Sequence, residues 1–258
     1  MKIPFARRAG ERNIPRHAIY LLPNAFTTAA LFAGFYAITR AIDNDWQGAA
    51  WGVLIAALLD GCDGRVARMT GTESAFGAEY DSLADIISFG AAPALLAYQW
   101  SLSQLGNIGA GAAFCFCVAA ALRLARFNIQ SGQTDRRFFI GIPCPAAAAL
   151  LVSTIAAADL AGIGGTDVYV GATAAVVSAL LALTMVSGVR YYSFKELNPR
   201  MRISWRLTAF VAAAAMLLYA VADNVMHVVS ITLTIYWFSG YGYAVWSAAR
   251  RRREKQGK

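Results

Sequence analysis

Asp60, Asp63, Asp81 and Asp85 are four carboxylates in a chain otherwise composed for lipid. The first pair is three residues apart and the second four, so each pair shares one face of a helix. A carboxylate at the bilayer centre costs roughly 2.5–3.5 kcal/mol, and four cost on the order of 10 kcal/mol, unless cations bind them or they face a wet cavity. Converging carboxylates repel and cannot all stay ionised without cations. Oxygen-only ligands favour magnesium, manganese or calcium. A pair of such ions suits phosphoryl chemistry, one holding phosphates and the other stabilising developing charge. Arg68 lies beside the acids and suits a diphosphate, and Gly64 and Gly77 allow close backbone approach. Membrane acids also form the ion paths of coupled transporters. Transporter acids are sparser, however, and lack an adjacent phosphate-binding arginine, so the dense glycine–aspartate–arginine pattern favours an enzyme.

The elements that must carry these acids are apolar spans. The chain has 258 residues, 58% of them hydrophobic, with a mean hydropathy of +0.47. The sequence predicts an all-α integral membrane protein of about eight helices, near 18–40, 46–64, 81–101, 108–127, 140–162, 168–188, 205–222 and 226–248. No stretch reads as a separate soluble domain, and the first span reads as retained because no small-residue cleavage site follows it. Asp60 and Asp63 fall late in the second span, and Asp81 and Asp85 early in the third. Antiparallel neighbours joined by a short turn bring all four to one depth.

Charge orients the spans. The chain carries a net +8. With eight spans, the basic residues before the first, after the second, fourth and sixth, and in the tail Arg250 to Lys258 all fall on one side, and only Arg40 falls on the other. The positive-inside rule makes that side cytoplasmic, together with both termini and the acids. Basic residues that border spans without striping a soluble face exclude a nucleic-acid partner and leave membrane lipids as theirs. Cys62, Cys115, Cys117 and Cys144 lack metal-ligand or disulfide spacing and read as small apolar fillers. His17 and His227 stand alone, without a catalytic pair.

The residues carry a resemblance. Asp60-x-x-Asp63-Gly64-x-x-Ala67-Arg68, then eight residues, then Gly77-x-x-x-Asp81-x-x-x-Asp85 is similar, at every fixed position, to the signature of the CDP-alcohol phosphatidyltransferase family. Ser74 to Asp85, Ser88 to Ala94, Leu21 to Thr27 and Arg123 to Asn128 resemble the phosphatidylserine synthase branch of that family. The resemblance covers about 18–190. It implies a six-helix catalytic core over 18–190, a cytoplasmic basic segment over 1–17, a cytoplasmic loop with two further helices over 191–249, and a basic tail over 250–258. The membrane implied is the bacterial cytoplasmic membrane, with the active site facing the cytoplasm.

The same resemblance implies the chemistry. The phosphatidyl group of CDP-diacylglycerol passes to the hydroxyl of L-serine, and CMP is released. Two divalent cations, Mg2+ or Mn2+, are implied: Asp60, Asp63 and Asp81 hold one, and Asp60, Asp81 and Asp85 the other. Asp85 is also the implied general base on the acceptor. Asn24, Thr27, Gly64, Arg68 and Ser74 are expected to line the CDP site, although Asn24 and Thr27 also read as hydrogen-bonding residues within the bundle. A serine carboxylate suits a bidentate arginine, which makes Arg123 and Arg126 acceptor candidates, with Ser88 and Asn128 beside them. The same arginines also serve as topology anchors, and they fit glycerol 3-phosphate or inositol phosphate as acceptor. A homodimer is implied by the family.

Overall fold

Small residues set how closely the first helices approach. The computed structural model describes residues 16–70, 74–130, 138–192 and 225–256, with side chains over 24–66, 74–129, 141–189 and 225–242. α1 (Arg16–Ile42) and α2 (Trp46–Thr70) form an antiparallel hairpin. Ala33, Ala37 and Ala41 of α1 meet Ala49, Ala50, Val53 and Ala56 of α2, all of them buried. A Cβ at Gly52 would lie 2.9 Å from the Ala37 Cβ, so the crossing leaves no room for a larger residue. In the connecting turn, Asn44 takes a left-handed φ of 59°. The Asp45 carboxylate accepts from the Gly48 N–H at 2.8 Å and caps α2. Arg40 pairs with Asp43 at 3.1 Å and Asp45 at 4.0 Å. Its charge is thereby offset locally.

The next helical rod changes pitch once. α3 (Ala75–Asp85) continues through a π turn (Ile86–Ala91) into α4 (Ala92–Trp100). Pro93, in the first turn of α4, cannot donate to the preceding turn. The Ala92 N–H reaches back to the Ile87 carbonyl, the wide spacing of a π turn. The rod starts six residues before the expected third span because Ser74 caps it. A short 3₁₀ turn (Leu102–Leu105) and Gly106, with φ 56°, lead into α5 (Asn107–Gln130).

The fifth expected span, near 140–162, begins later than its apolar letters suggest. Residues Phe138–Ile140 form a strand, β1, and the helix α6 (Cys144–Leu160) starts only after Pro143. Gly141, with φ 77°, lies against the Met185 carbonyl, and its N–H donates to Val189 at 2.8 Å. A helix cannot run through that conformation. After α7 (Val168–Val186), β2 (Arg190–Tyr192) pairs antiparallel with β1, Phe139 opposite Tyr191. Among the described residues the regular structure is helical but for this ribbon of three residues a side. α8 (Val225–Gln256) runs on past the expected end near 248 into the basic tail. The seventh expected span, near 205–222, and the basic N-terminal residues before 16 lie outside the described residues.

α1 packs on α2, α5 on α7, α2 on α6, and α6 on α8. Phe89, Phe116, Leu151, Ile155, Leu181 and Met185 are fully buried where these pairs meet. Phe32, Phe35, Phe114 and Leu183 face outward, as apolar residues do in a protein bounded by lipid. Among the described residues, the segments Asn24–Ile42, Asn107–Ile129 and Val168–Val186 are long and apolar enough to cross a membrane, and Cys144–Leu160 is a shorter apolar helix.

Candidate active site

The hairpin α1–α2 and the start of α3 bring the acids together. One carboxylate oxygen each from Asp60, Asp63 and Asp81 lie within 4.8 Å of one another. Asp63 is buried and Asp60 and Asp81 are half-buried. Asp85, one turn beyond Asp81, stands outside that tight group. It remains within electrostatic reach of Asp60, Asp81 and Asp63, and of the opposing charge of Arg123. Three hard oxygen donors at this separation fit a divalent cation, and nothing softer is offered.

Hydrogen bonds between helices hold the acids in place. Thr27 donates from its hydroxyl to the Asp63 carboxylate at 2.9 Å, and both side chains are buried. The Ser74 hydroxyl accepts from the Gly77 N–H at 3.0 Å and fixes the first turn of α3. A Cβ on Gly77 would lie 3.1 Å from the Ser74 Oγ and 3.5 Å from the Asn24 Oδ1, so glycine lets α1 come this close. Thr28 on α1 and Tyr80 on α3 share a hydroxyl hydrogen bond of 3.0 Å. From the other side, Asn128 on α5 donates to the Ser82 hydroxyl at 2.9 Å. The turn carrying Asp81 is therefore tied on two sides.

The expected site residues fall into distinct places. Asn24, Ser74 and Gly64 lie on the elements that frame the acids, and Thr27 touches Asp63 directly. Arg68 belongs to the last turn of α2, and its side chain lies outside the described residues. Arg123 is buried, its Nη1 donates to the Cys144 sulfur at 3.6 Å, and its Nε has no hydrogen-bond partner among the described residues. Arg126 instead donates to the Val186 carbonyl at 3.2 Å, nearer the surface. Ser88, in the π turn, donates to the Ala30 carbonyl at 3.2 Å and is buried between helices. Thr28, Tyr80, Ser82 and Cys144 were not foreseen from the sequence. Tyr80 and Ser82 flank Asp81, which is the one signal that could have drawn attention to them. The cysteines, read as fillers, are all free thiols, and Cys144 is the one that contacts Arg123.

The family model for CDP-alcohol phosphatidyltransferase matches residues 20–177. The chain belongs to this family. It is thus a transferase of phospholipid synthesis, and the helices bearing the four acids and Arg123 all lie within the matched segment. A CDP-diacylglycerol–serine O-phosphatidyltransferase of Helicobacter pylori is 39% identical over 201 residues, covering 77% of this chain and 80% of its own length. A protein of the same name from Methanocaldococcus jannaschii is 49% identical over 100 residues, 39% of this chain and 46% of its own. An archaetidylserine synthase of Methanothermobacter thermautotrophicus is 35% identical over 173 residues, 66% of this chain and 69% of its own. α8 lies beyond the segment that the CDP-alcohol phosphatidyltransferase model covers.

Proposed function

We propose that this protein transfers the phosphatidyl group of CDP-diacylglycerol to the hydroxyl of L-serine and releases CMP. The observation that carries the reading is the convergence of Asp60, Asp63 and Asp81 within 4.8 Å, with Asp85 one turn away, on the family's spacing. Asp60, Asp63 and Asp81 are suited to hold one divalent cation, and Asp60, Asp81 and Asp85 a second. Mg2+ or Mn2+ there supplies charge neutralisation of the pyrophosphate and of the departing CMP. Thr27 keeps the Asp63 carboxylate aimed inward through its 2.9 Å hydrogen bond. Asn24, Gly64, Arg68 and Ser74 frame the nucleotide side, where an arginine can bind phosphate in bidentate fashion.

Asp85 accepts the proton of the serine hydroxyl as the oxygen attacks the lipid-side phosphorus. The bond to the CMP oxygen breaks, and the proton remains on Asp85 until it is lost to water. Arg123 pairs with the serine carboxylate, which gives its buried guanidinium the anionic partner it otherwise lacks in hydrogen-bonded form. Arg126, Ser88 and Asn128, the other acceptor candidates, are occupied with Val186, Ala30 and Ser82, and their part is to shape the pocket wall. The names of the relatives change the lipid, from diacylglycerol to archaetidyl, and keep serine, which supports serine as acceptor.

The full arrangement is an integral protein of eight spans in the bacterial cytoplasmic membrane, working as a homodimer. Its core occupies 18–190, between the basic segment 1–17 and the appended 191–249 and 250–258, and the acids open to the cytoplasm. The test is CMP release from CDP-diacylglycerol by purified protein, with L-serine, glycerol 3-phosphate or inositol phosphate as acceptor. Serine-dependent release supports the reading. Release dependent on a phosphorylated acceptor moves the protein to another branch, and no release with any acceptor counts against the proposed reaction.

A further inference from the structure

A buried arginine must be held by something. Arg123 lies near the C-terminal end of α5, only 8% exposed, with Asp85 of α3 within electrostatic reach. The acid alone does not fix its orientation, since no Arg123–Asp85 ion pair within 4.0 Å occurs among the described residues. Two side chains from other helices also bear on it. Cys144, the first residue of α6, receives the Arg123 Nη1 at 3.6 Å and points its own S–H at the Ala120 carbonyl, at 3.7 Å. That thiol thus bridges the guanidinium to the α5 backbone one turn earlier. Cys144 can occupy this place because Pro143, extended at φ −57° and ψ 138°, starts α6 abruptly there.

The second side chain comes from α8. Tyr236 is half-buried against the core, and the Arg123 charge acts on its phenol. α8 is seated firmly enough to present it. Thr154 and Ser230 share a hydrogen bond of 2.9 Å between α6 and α8, Trp237 donates to the Thr184 hydroxyl at 3.1 Å, and Tyr241 meets the same hydroxyl at 2.6 Å. Met226 and Trp237 are buried in that contact.

We propose that Cys144 and Tyr236 are positioning residues that hold the Arg123 guanidinium for the acceptor carboxylate, so that α8, outside the matched family segment, forms part of the acceptor site. The proposal rests on the reading of Arg123 as the carboxylate receptor. It gives the appended helix a function in acceptor recognition, and it makes a cysteine that looks like packing a determinant of serine affinity. A sulfur is a weak acceptor and a hydroxyl a better one, so serine at position 144 preserves the contact and alanine removes it.

The test uses full-length protein, with L-serine and CDP-diacylglycerol saturated in turn. Cys144→Ala is expected to raise the KM for serine about tenfold, the order of one hydrogen bond to a charged group, and Tyr236→Phe to raise it by a smaller factor through loss of a nearby dipole, with kcat and the KM for CDP-diacylglycerol within about twofold of the parent. Cys144→Ser should restore the parental serine KM. Tyr241→Phe removes one α8 hydroxyl and leaves the Thr154–Ser230 and Trp237–Thr184 bonds to seat the helix, so it should leave the serine KM unchanged. Unchanged serine KM in Tyr236→Phe and Cys144→Ala overturns the proposal, as does a parallel rise in both substrates' KM or an equal effect from Tyr241→Phe. The parent protein decides the underlying reading separately: if its CMP release does not depend on serine, the acceptor assignment fails whatever the variants do.

Discussion

Replacing Thr27 with valine tests whether the acid cluster is preorganised for a cation. The substitution keeps volume and β-branching and removes only the hydroxyl that donates to Asp63 at 2.9 Å. Thr27 is 4% exposed and Asp63 5%, so water has little access to replace the lost donor. A buried hydrogen bond to a charged group contributes about 1.5–3 kcal/mol. At about 1.4 kcal/mol per factor of ten, that corresponds to roughly 10–150-fold in an equilibrium constant. Partners that orient metal ligands typically account for about 10–100-fold in metal affinity, the same range. The Mg2+ or Mn2+ concentration for half-maximal CMP release should therefore rise by about tenfold or more in Thr27→Val. The cation-dependent rise in melting temperature of the purified protein should need a matching increase in metal, a readout that does not depend on turnover. Thr27→Ser, which keeps the donor, should behave as the parent. Unshifted metal dependence of Thr27→Val in both measurements would refute the claim that this contact aims Asp63 at a cation.

Other substitutions address other parts of the site. Asp85→Asn should lower kcat by about 100-fold or more, the scale of general-base catalysis, while CDP-diacylglycerol still binds; near-parental turnover removes Asp85 as the base. Arg123→Ala should raise the serine KM far more than Arg126→Ala, because Arg123 is buried beside Asp85 while Arg126 is spent on the Val186 carbonyl, and equal effects count against that distinction. Exhaustive chelation should abolish CMP release, with recovery on adding Mg2+ or Mn2+, and retained activity in chelator contradicts a metal site. Gly34→Ala should lower the melting temperature by a few degrees or more, since the added Cβ would lie 2.7 Å from the Ser88 Cα and overpacking typically costs about 1–3 kcal/mol. An unchanged melting temperature would show that the α1 crossing over the π turn has slack.

Much of the acid cluster was readable because its members are local. Asp60 with Asp63 and Asp81 with Asp85 declare a shared face through spacing alone, and two antiparallel helices then leave little choice about where they meet. Helix limits were legible where a polar break coincides with a cap, as at Asp45 and Asp167. They were misread at 140–143, where apolar letters continue through a left-handed Gly141 and an extended Pro143. Hydropathy carries no record of φ. The supports of the site were hidden for a different reason. Thr27 and Asp63 are 36 residues apart, Thr28 and Tyr80 52, and Asn128 and Ser82 46, so which side chains meet depends on the rotation of each helix. Cys144 looked like filler because its partner, Arg123, lies on another helix.

The π turn after Asp85 is the least visible of these features, and the pattern of exposure explains what it accomplishes. Phe76, Glu79 and Leu83 mark the outward face of α3, and Leu95 and Gln99 mark that of α4. At about 100° per residue, the step from Leu83 to Leu95 in an unbroken α-helix would put the two faces about 120° apart. A π turn accommodates one extra residue, and discounting that residue leaves the faces within about 20° of each other. The outward stripe therefore stays continuous along the rod although the sequence spacing says it should not. A regular helix would have to choose between aiming Asp81 and Asp85 at α2 and burying Phe89 and Leu96 in the core. The inserted residue removes that conflict. It also brings Ser88 into hydrogen-bond contact with the Ala30 carbonyl, which ties the end of the acid-bearing segment to α1, the helix that carries Thr27. The position of the bulge, directly after Asp85, thus lets one helix satisfy both an acid-bearing face and a packing face.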